Sequence, residues 1–351
     1  MKRPSDVVVA LSGGVDSAMA AVLLKREGWE VHGLHLVLSP TSPNIEERVR
    51  EIAGRIGISL EIIDLQERFD RRIVAPFCDA YLKGLTPNPC VRCNQEIKFE
   101  ALYRYCIQKG IHSLATGHYA RVVCRDGRAG LSRGLDRGKD QSYFLQRLSR
   151  ECLSRVVFPL GDMTKEEIRR QAGDMGLACH LRPESQEICF IYGMDYRGFV
   201  EKRQGPGIRR KGAIVTAEGV LLGEHEGAYR YTIGQRHGLG IASSDPYYVK
   251  EIRPDVNEVV VARREALFAN VIRAVGVHWI DDPPPEGCAG ISAQIRYRHR
   301  AARGRLEVLS LNEVRFVFDA PQWAITPGQA LALYDGDRLI GGGWMIRPSE
   351  L

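Results

Sequence analysis

Short apolar runs rich in β-branched residues alternate with longer stretches of helical spacing through the first half of the chain. The runs predict buried parallel strands, and the stretches with apolar residues three and four positions apart predict helices. The expected strands are Val7–Leu11, Val31–Val37, Leu60–Leu65 and Ser113–Gly117, and the expected helices are Asp16–Lys25, Asn44–Ile56, Glu67–Leu82 and Gln95–Lys109. This order predicts an α/β fold with a parallel sheet, whose ligands bind at the carboxyl ends of the strands.

Later in the chain, short β-like runs separated by glycine-rich turns replace this pattern. They predict a small barrel or sandwich. The runs are Ala213–Thr216, Gly219–Leu222, Tyr229–Ile233, Glu258–Ala262, Gly290–Tyr297, Leu306–Leu309, Val314–Phe318, Ala330–Tyr334 and Leu339–Met345. We therefore expect three domains, over residues 1–200, 201–268 and 269–351. A late helix should begin at Thr164, because Glu167 completes a capping box there.

Composition excludes several classes of protein. The 351 residues are 44% hydrophobic and 26% charged, as in globular domains, and no apolar run is long enough to span a membrane. Met1–Asp6 leads straight into the first strand, which leaves no room for a signal peptide, so we expect a cytoplasmic protein. The net charge of +6 permits a polyanionic partner, and nine cysteines without an export signal favour cysteine chemistry over a disulfide scaffold.

The first strand and the first helix are joined by Ser12-Gly13-Gly14-Val15-Asp16-Ser17. The glycines allow a sharp turn, and their N–H groups together with the helix N-terminus form an anion site to which the serines add hydroxyls. Asp16 would repel a phosphate unless a cation lay between them, so we expect a metal-bound phosphate. No Gly-Lys-Ser/Thr follows, and SGGVDS instead resembles the loop of the ATP pyrophosphatases (PP-loop enzymes), which split ATP into AMP and pyrophosphate and adenylate a substrate.

Three cysteines are candidates for chemistry. Cys90 and Cys93 form a CxxC pair after two prolines, a pattern used for redox pairs, zinc sites and iron–sulfur clusters. Because Cys93 lies near a helix start and beside Arg92, we expect its thiolate to be favoured. Cys189 stands between a polar and an apolar segment, as at the mouth of a pocket. The remaining cysteines are expected to be structural: Cys78, Cys106, Cys124, Cys152, Cys179 and Cys288.

Arginines concentrate in one segment near the C-terminus. The alternation from Gln294 to Arg300 predicts a strand with Gln294, Arg296, Arg298 and Arg300 on one face. Arg303 and Arg305 extend the charge, and Tyr297 and His299 lie between the arginines. This composition favours RNA contact over an ordinary solvated strand face.

With these motifs assembled, the chain resembles the bacterial tRNA-specific 2-thiouridylases (MnmA type) over nearly its whole length. The matching segments are Ala10–Ser17, Asn88–Phe99, Ala115–Ala120, Lys139–Leu145, Ser185–Phe190 and Tyr229–Ile241. The resemblance implies an N-terminal PP-loop domain, a small mainly-β linker domain and a C-terminal β-barrel. It also implies ATP-dependent sulfuration of the wobble uridine, position 34, in the tRNAs for lysine, glutamate and glutamine.

The resemblance also implies roles for individual residues. ATP contacts fall on Ala10, Leu11, Ser12, Gly13, Gly14, Val15, Asp16, Ser17, Leu36 and Gly117, with Mg²⁺ as companion. Contacts to the tRNA anticodon stem-loop fall on Asn88, Pro89, Cys90, Lys139, Asp140, Gln141, Arg296 and Tyr297. The catalytic cysteines match Cys93 and Cys189, and a cysteine desulfurase or relay protein would supply the sulfur.

Cys90 departs from the common family pattern, which has aspartate at that position. Uracil O2 must be adenylated before it can leave, and sulfur must then arrive as a persulfide on Cys189 or as a cluster-bound sulfide, because a thiol cannot donate its own sulfur and survive. Cys90 either serves as a catalytic acid or base alongside that persulfide, or joins Cys93 and Cys189 in holding a [4Fe–4S] cluster with one open iron.

Two other functions fit parts of the sequence. A PP-loop synthetase that adenylates a small acid would need neither the basic segment nor the paired cysteines. A zinc-dependent RNA-binding protein without catalytic activity would hold stoichiometric zinc and form no AMP.

Overall fold

The computed structural model describes residues 6–39, 44–177, 188–285 and 290–347. Its first seven strands are β1 (Asp6–Ala10), β2 (Glu30–Val37), β3 (Ser59–Asp64), β4 (Ser113–Ala115), β5 (Ala120–Arg125), β6 (Arg128–Arg133) and β7 (Val156–Val157). Five of them form a parallel sheet in the order β3-β2-β1-β4-β7. The β1 residues Val7, Val8 and Val9 are fully buried, so the apolar run marks the centre of this sheet as predicted.

Helices flank the sheet and follow the predicted segments closely. They are α1 (Val15–Arg26), α2 (Ile45–Ile56), α3 (Gln66–Phe69), α4 (Ala75–Leu82), α5 (Pro89–Cys93), α6 (Phe99–Lys109), α7 (Arg150–Leu153), α8 (Lys165–Asp174) and α9 (Tyr196–Gln204). Two π-helical segments join neighbours end to end, Asp70–Val74 between α3 and α4 and Asn94–Lys98 between α5 and α6. The capping box of α8 is present, with the Thr164 side chain accepting from the Glu167 amide and Glu167 accepting from the Thr164 amide.

The middle region is a small four-stranded sheet. Its strands are β8 (Gly212–Thr216), β9 (Leu221–His225), β10 (Tyr248–Arg253) and β11 (Glu258–Ala262), in the order β10-β11-β8-β9. The expected strand Tyr229–Ile233 is wrong, because Ala228–Arg230 forms a 3₁₀ turn instead. Glu201 of α9 holds that turn by accepting hydrogen bonds from the Tyr229 hydroxyl and the Arg230 guanidinium.

The C-terminal region is a closed antiparallel barrel of six strands. These are β12 (Phe268–Trp279), β13 (Ile291–Gln294), β14 (Ala302–Ser310), β15 (Glu313–Trp323), β16 (Ala330–Asp335) and β17 (Arg338–Met345). The order β12-β15-β14-β13-β16-β17 closes where β17 pairs with β12. The predicted fold class, a parallel-sheet domain followed by a mainly-β region and a barrel, is confirmed.

A hairpin of the N-terminal part joins the barrel sheet. Strands β5 and β6 are linked by Asp126 and Gly127, both with positive φ, and β6 pairs with β17 through Leu131 and Leu339. An Asp-Gly pair between two strand-like runs is a strong hairpin signal, and reading it would have predicted the β5–β6 hairpin. The hairpin fixes the barrel beside the parallel sheet, so both can border one site.

The expected strand from Gln294 to Arg300 is also wrong, since β13 ends at Gln294. The buried Gln294 amide donates to the carbonyls of Arg296 and Tyr297, and the His299 amide donates to the Arg296 carbonyl. These bonds wrap the chain into a turn, so the arginines do not share a strand face.

No helix among the described residues is long and apolar enough to cross a membrane.

Candidate active site

A cavity of about 2430 Å³ lies at the carboxyl ends of the parallel strands and reaches the barrel. Most of the predicted site residues line it. From the nucleotide set these are Ala10, Leu11, Ser12, Gly13, Gly14, Val15, Asp16, Ser17, Leu36 and Gly117, and from the RNA and sulfur sets they are Asn88, Pro89, Cys90, Lys139, Asp140, Gln141, Cys189 and Tyr297. Cys93 and Arg296 are not part of the cavity wall. Segments far apart in sequence therefore meet at one site.

The SGGVDS loop is held in shape by its own serines. The Ser12 amide donates to Ser17 Oγ at 3.1 Å, and Ser17 Oγ donates to the Gly14 carbonyl at 3.0 Å. Gly13 has φ +79°, which only glycine adopts without strain, and Gly14 is the N-cap of α1. The loop thus presents its backbone at a helix N-terminus, the arrangement that binds phosphate.

Gly117 explains how the loop is supported from β4. A Cβ atom at Gly117 would lie 2.6 Å from the carbonyl carbon of Asp16 and 2.8 Å from the amide nitrogen of Ser17. No real side chain tolerates such contacts with backbone. Glycine at this position therefore lets the turn that follows β4 pack directly against the backbone of the loop.

The Asp16 carboxylate is bound by a cation of this chain. Lys165 Nζ lies 2.7 Å from Asp16 Oδ1 and 2.8 Å from Oδ2, and the Tyr119 hydroxyl donates to Oδ1 at 2.8 Å. Lys165 is buried at the start of α8, where the capping box fixes it. Sequence reasoning expected a metal between Asp16 and phosphate. The structure adds an ammonium group at this carboxylate, and Lys165 is a site residue that the sequence reasoning missed.

The three candidate cysteines differ sharply in surroundings. Cys90 lines the cavity, and Cys189 lines it and is exposed. Cys93 is only 5% exposed and belongs to an apolar cluster that includes Phe69, Ile73 and Phe190. Each of the three is a free thiol.

The buried thiols resist ionisation. Burial raises the pKa of Cys90 to about 11 and that of Cys93 to about 12, and the nearby Cys189 sulfur adds to both shifts. The expectation that Cys93 would be a favoured thiolate is therefore wrong. The Arg92 guanidinium does not help, because it is directed to Glu96, with Nε 3.6 Å from Oε1, and to the Trp344 ring. Loss of hydration outweighs the helix N-terminus here.

Lys98 is the cation whose charge favours the thiolate forms of Cys90 and Cys93. It lines the cavity, and its charge acts to lower the pKa of both Cys90 and Cys93. Burial lowers the pKa of Lys98 itself, but the three cysteines together raise it above its ordinary value. In an α-helix residues five apart face different directions, whereas the π-helical segment Asn94–Lys98 brings Lys98 round toward the side of Cys93.

His118 is part of the same wall and is unsuited to proton transfer at neutral pH. Burial, assisted by the Lys98 charge, lowers its pKa to about 3. Its Nδ1 lies 2.8 Å from the Thr116 hydroxyl, which is a structural contact.

The Lys139–Gln141 segment is fixed from inside. Asp140 is buried and accepts hydrogen bonds from Arg133 Nη1 at 3.0 Å, from the amides of Gly134 and Ser142, and from Ser142 Oγ at 2.8 Å. The Asp140 carboxylate is thus saturated by donors of the protein, and the tRNA contact expected at Asp140 stays a prediction. Asp140 shapes the segment that presents Lys139.

Arg296 and Tyr297 lie in the turn after β13. Arg296 Nη1 donates to the Trp323 carbonyl at 3.2 Å, and burial lowers the pKa of this half-buried arginine. Tyr297 packs on Phe144 with ring centroids 4.4 Å apart. Of the arginines in this segment, Arg298, Arg300 and Arg303 line the cavity. Within this segment the basic part of the cavity wall therefore follows Arg296, and the tRNA contacts expected at Arg296 and Tyr297 stay a prediction.

The cysteines of the described ranges are not preassembled as a three-donor site for a single metal ion. Tetrahedral zinc–thiolate bonds of about 2.3 Å place sulfurs about 3.8 Å apart. Among the described residues, the one group of three or more donors whose atoms lie within 4.8 Å of one another is Asp6, Glu30 and His32, far from any cysteine in sequence. The zinc-dependent hypothesis therefore has no support in the described part of the chain.

Comparisons with protein families agree along the chain. Residues 5–193 match the model described as tRNA methyl transferase HUP domain, residues 198–263 the tRNA methyl transferase PRC-barrel domain, and residues 269–345 the aminomethyltransferase beta-barrel domain.

Two solved structures show weaker likeness. A 4-thiouridine synthetase in complex with RNA and bound ATP is 18% identical, with TM-score 0.39 over 57% of this chain and 50% of that chain. NMN synthetase from Francisella tularensis is 16% identical, with TM-score 0.36 over 57% of this chain and 78% of that chain. Neither likeness is strong enough to bear on the chemistry of this site.

Full-length relatives are much closer. The tRNA-specific 2-thiouridylase MnmA of Syntrophotalea carbinolica is 45% identical over 98% of this chain and 99% of its own length. That of Geobacter metallireducens is 43% identical over 98% of this chain and 97% of its own. On this evidence the chain belongs to the family of tRNA-specific 2-thiouridylases, and it is a sulfurtransferase that thiolates uridine in tRNA.

Proposed function

We propose that this enzyme carries out ATP-dependent 2-thiolation of the wobble uridine, position 34, of the tRNAs for lysine, glutamate and glutamine. The products are 2-thiouridine, AMP and pyrophosphate. The observation that carries the proposal is the single cavity that joins the SGGVDS loop, Cys90, Cys189 and the arginines of the barrel. A nucleotide, a base and a sulfur atom could meet there.

The first step is adenylation of the base. Uracil O2 attacks the α-phosphorus of ATP, and the bond to the β-phosphate oxygen breaks to release pyrophosphate. The loop amides would stabilise the negative charge on the leaving pyrophosphate, as preorganised donors do. Lys165, held on Asp16, keeps the carboxylate of the loop from repelling that charge.

The residues of the loop suit Mg²⁺ that arrives with ATP rather than a preformed metal site. Lys165 and Tyr119 already occupy three of the roughly four acceptor positions of the Asp16 carboxylate. Mg²⁺ is usually held by substrate phosphates, waters and only one or two carboxylates. Asp16 is the loop residue that would contribute the protein ligand, and the metal would supply charge neutralisation for the phosphates.

Sulfur transfer follows at Cys189. This thiol is exposed, so a donor protein such as a cysteine desulfurase or relay protein could leave a persulfide on it. The terminal sulfur attacks C2 and AMP leaves with the former O2. Cys93 Sγ then attacks Cys189 Sγ as its proton passes to the departing base, which breaks the S–S bond to the base and leaves 2-thiouridine and a Cys93–Cys189 disulfide. A dithiol reductant restores both thiols.

The [4Fe–4S] route is the second candidate, and Cys90 is the observation that favours it. Three free thiols of this site, Cys90, Cys93 and Cys189, interact electrostatically with one another and with Lys98. Their number and type fit three of the four ligands of such a cluster, whose open iron would bind an exogenous sulfide. In this route Lys98 would offset the negative charge of the thiolates. In the persulfide route Cys90 would serve as an acid or base.

Anaerobic reconstitution with iron and sulfide separates the two routes. The cluster route predicts about four irons per chain, lost in Cys90→Ser, and activity that follows the iron content. A fully active preparation without iron would exclude that route and leave the persulfide account.

The remaining proposals concern context. The domain boundaries of 1–200, 201–268 and 269–351 stay a prediction that limited proteolysis between the segments can test. A location in the cytoplasm, with the tRNA pool, is likewise our proposal.

The test of the main function is incubation with unmodified tRNA, ATP, Mg²⁺ and sulfide or a persulfide donor. 2-Thiouridine should appear at position 34 together with AMP and pyrophosphate, and it should require ATP. AMP formation with a small carboxylic acid and without tRNA would instead support the synthetase hypothesis.

A further inference from the structure

Arg48 of α2 lies against the phosphate loop although it is distant from it in sequence. A Cβ atom at Gly13 would lie 3.1 Å from Arg48 Nε and 3.6 Å from its Cζ, so the guanidinium packs on the bare face of that glycine. Arg48 also lines the cavity beside Ser12 and Gly14. An arginine is thus built into the wall of the site where the loop turns.

The guanidinium has no partner of its own in the described residues. Its Nε is buried without a hydrogen bond, and no carboxylate of the described chain forms an ion pair with it. Arg55 of the same helix pairs with Glu51 at 3.0 Å and bonds the Gly176 carbonyl at 2.9 Å, and Lys165 pairs with Asp16. Within the described ranges, Arg48 is therefore the cation at the loop that no acid neutralises.

A buried donor without a partner costs stability. Its position beside an anion site indicates that a bound anion would supply the missing partner. The guanidinium carries a fixed charge and a planar set of donors that matches phosphate. Because Lys165 is engaged by Asp16, Arg48 is the cation left to meet a phosphate at Gly13 and Gly14.

We propose that Arg48 is a phosphate-binding residue of this site, which contacts the part of ATP that the loop holds and that leaves as pyrophosphate. This inference rests on the proposed function, since it presumes that the loop binds ATP. Arg48 lies outside the loop in sequence. It would strengthen binding of the phosphates that leave as pyrophosphate and would not affect binding of the nucleoside.

Titration calorimetry with ATP, inorganic pyrophosphate and AMP tests the assignment in Arg48→Gln, Arg48→Lys and the control Arg50→Gln. Arg50 is an exposed residue of the same helix. Loss of a charge-assisted contact should weaken ATP and pyrophosphate binding by roughly 10- to 100-fold in Arg48→Gln. Binding of AMP should change little. Arg48→Lys should recover part of the affinity, and Arg50→Gln should match the unaltered enzyme.

A thermal unfolding series distinguishes this role from a structural one. Without ATP, Arg48→Gln should unfold at the same temperature as the unaltered enzyme or higher, because it removes an unsatisfied buried donor, while the rise caused by ATP should shrink. Unchanged pyrophosphate affinity in both Arg48 variants, or equal losses for AMP and pyrophosphate, would overturn the role of Arg48. Absence of ATP binding by the unaltered enzyme would overturn the proposed function as well.

Discussion

The two ends of the cavity are built in opposite ways. At the phosphate end, one continuous loop contains its own hydrogen bonds, and a single cation from α8 satisfies its only acid. At the thiol end, Cys90 and Lys98 come from one helix and Cys189 from a segment far along the chain. The first end is preorganised by local sequence, whereas at the second end burial raises the pKa of the Cys90 and Cys93 thiols and so favours their protonated forms.

Replacement of the exposed thiol should give the largest effect. Cys189→Ser removes the atom that would carry sulfur, so formation of 2-thiouridine should fall by on the order of 10³-fold or more. Adenylation depends on the other end of the cavity and should persist, seen as tRNA-dependent release of pyrophosphate. The matched control is Cys124→Ser, since Cys124 is also exposed but lies on the β5–β6 hairpin outside the cavity wall. Product formed at the normal rate by Cys189→Ser would refute the role of this thiol.

Replacement of Asp16 should have the next largest effect, which is a decrease in the free energy of unfolding. Asp16→Ala leaves Lys165, whose side chain is 7% exposed, without its carboxylate partner. Because Asp16 is itself one-third exposed, we expect a loss of about 2 kcal/mol in the free energy of unfolding rather than the full cost of a buried pair. Urea denaturation measures it, and Asp16→Ala with Lys165→Met should recover part of the loss. A single variant as stable as the unaltered chain would show that the pair contributes little.

The phosphate end could be predicted from the sequence more fully than the thiol end. The β1–loop–α1 unit could be predicted because glycine geometry and the apolar run act over a few residues, and the start of α8 could be predicted because the capping box at Thr164 is equally local. The ionisation of Cys93 could not, since its burial against Phe69 and Phe190 depends on distant segments. Arg48 and Lys165 were missed for that reason too. Nothing near Lys165 in sequence signals its pairing with Asp16, and nothing near Arg48 signals its packing on Gly13.

The strand errors have a related cause. Tyr229–Ile233 and Gln294–Arg300 have strand-like composition, but single polar side chains, Glu201 and Gln294, fold them into turns. Composition does not reveal such bonds. The Asp126-Gly127 turn was available in the sequence and signals the β5–β6 hairpin, whereas the pairing of β6 with β17 has no such local signal.

Replacement of Lys98 tests the thiol end of the cavity through the alkylation rate of Cys90. With Lys98→Met, the thiolate of Cys90 loses its cation, so its pKa should rise above the value of about 11. Alkylation follows the thiolate fraction, and a rise of one pKa unit would slow modification of Cys90 at pH 9 by about tenfold. Peptide mass spectrometry after iodoacetamide treatment measures the rate across pH in a background without the exposed thiols Cys189 and Cys124. A rate that stays the same or rises would contradict the assigned role of Lys98.

The arginines of the barrel should give the smallest effect. Arg300 lines the cavity and is exposed, whereas Arg305 lies outside the wall and near Glu307, at 3.4 Å. Arg300→Ser should weaken tRNA binding by roughly threefold to tenfold and reduce the slope of log affinity against log salt by about one. Arg305→Ser should change both less. Equal effects of the two substitutions would mean that the cavity edge is not a preferred path for RNA.

The central claim is that the phosphate end activates uracil O2 so that the thiol end can replace it. Transfer of the O2 atom tests this directly. With tRNA that carries ¹⁸O at O2 of the wobble uridine, mass spectrometry of the released AMP should find the label in its phosphate, in step with 2-thiouridine formation. Unlabelled AMP formed alongside 2-thiouridine would contradict adenylation of the base and separate ATP cleavage from sulfur transfer.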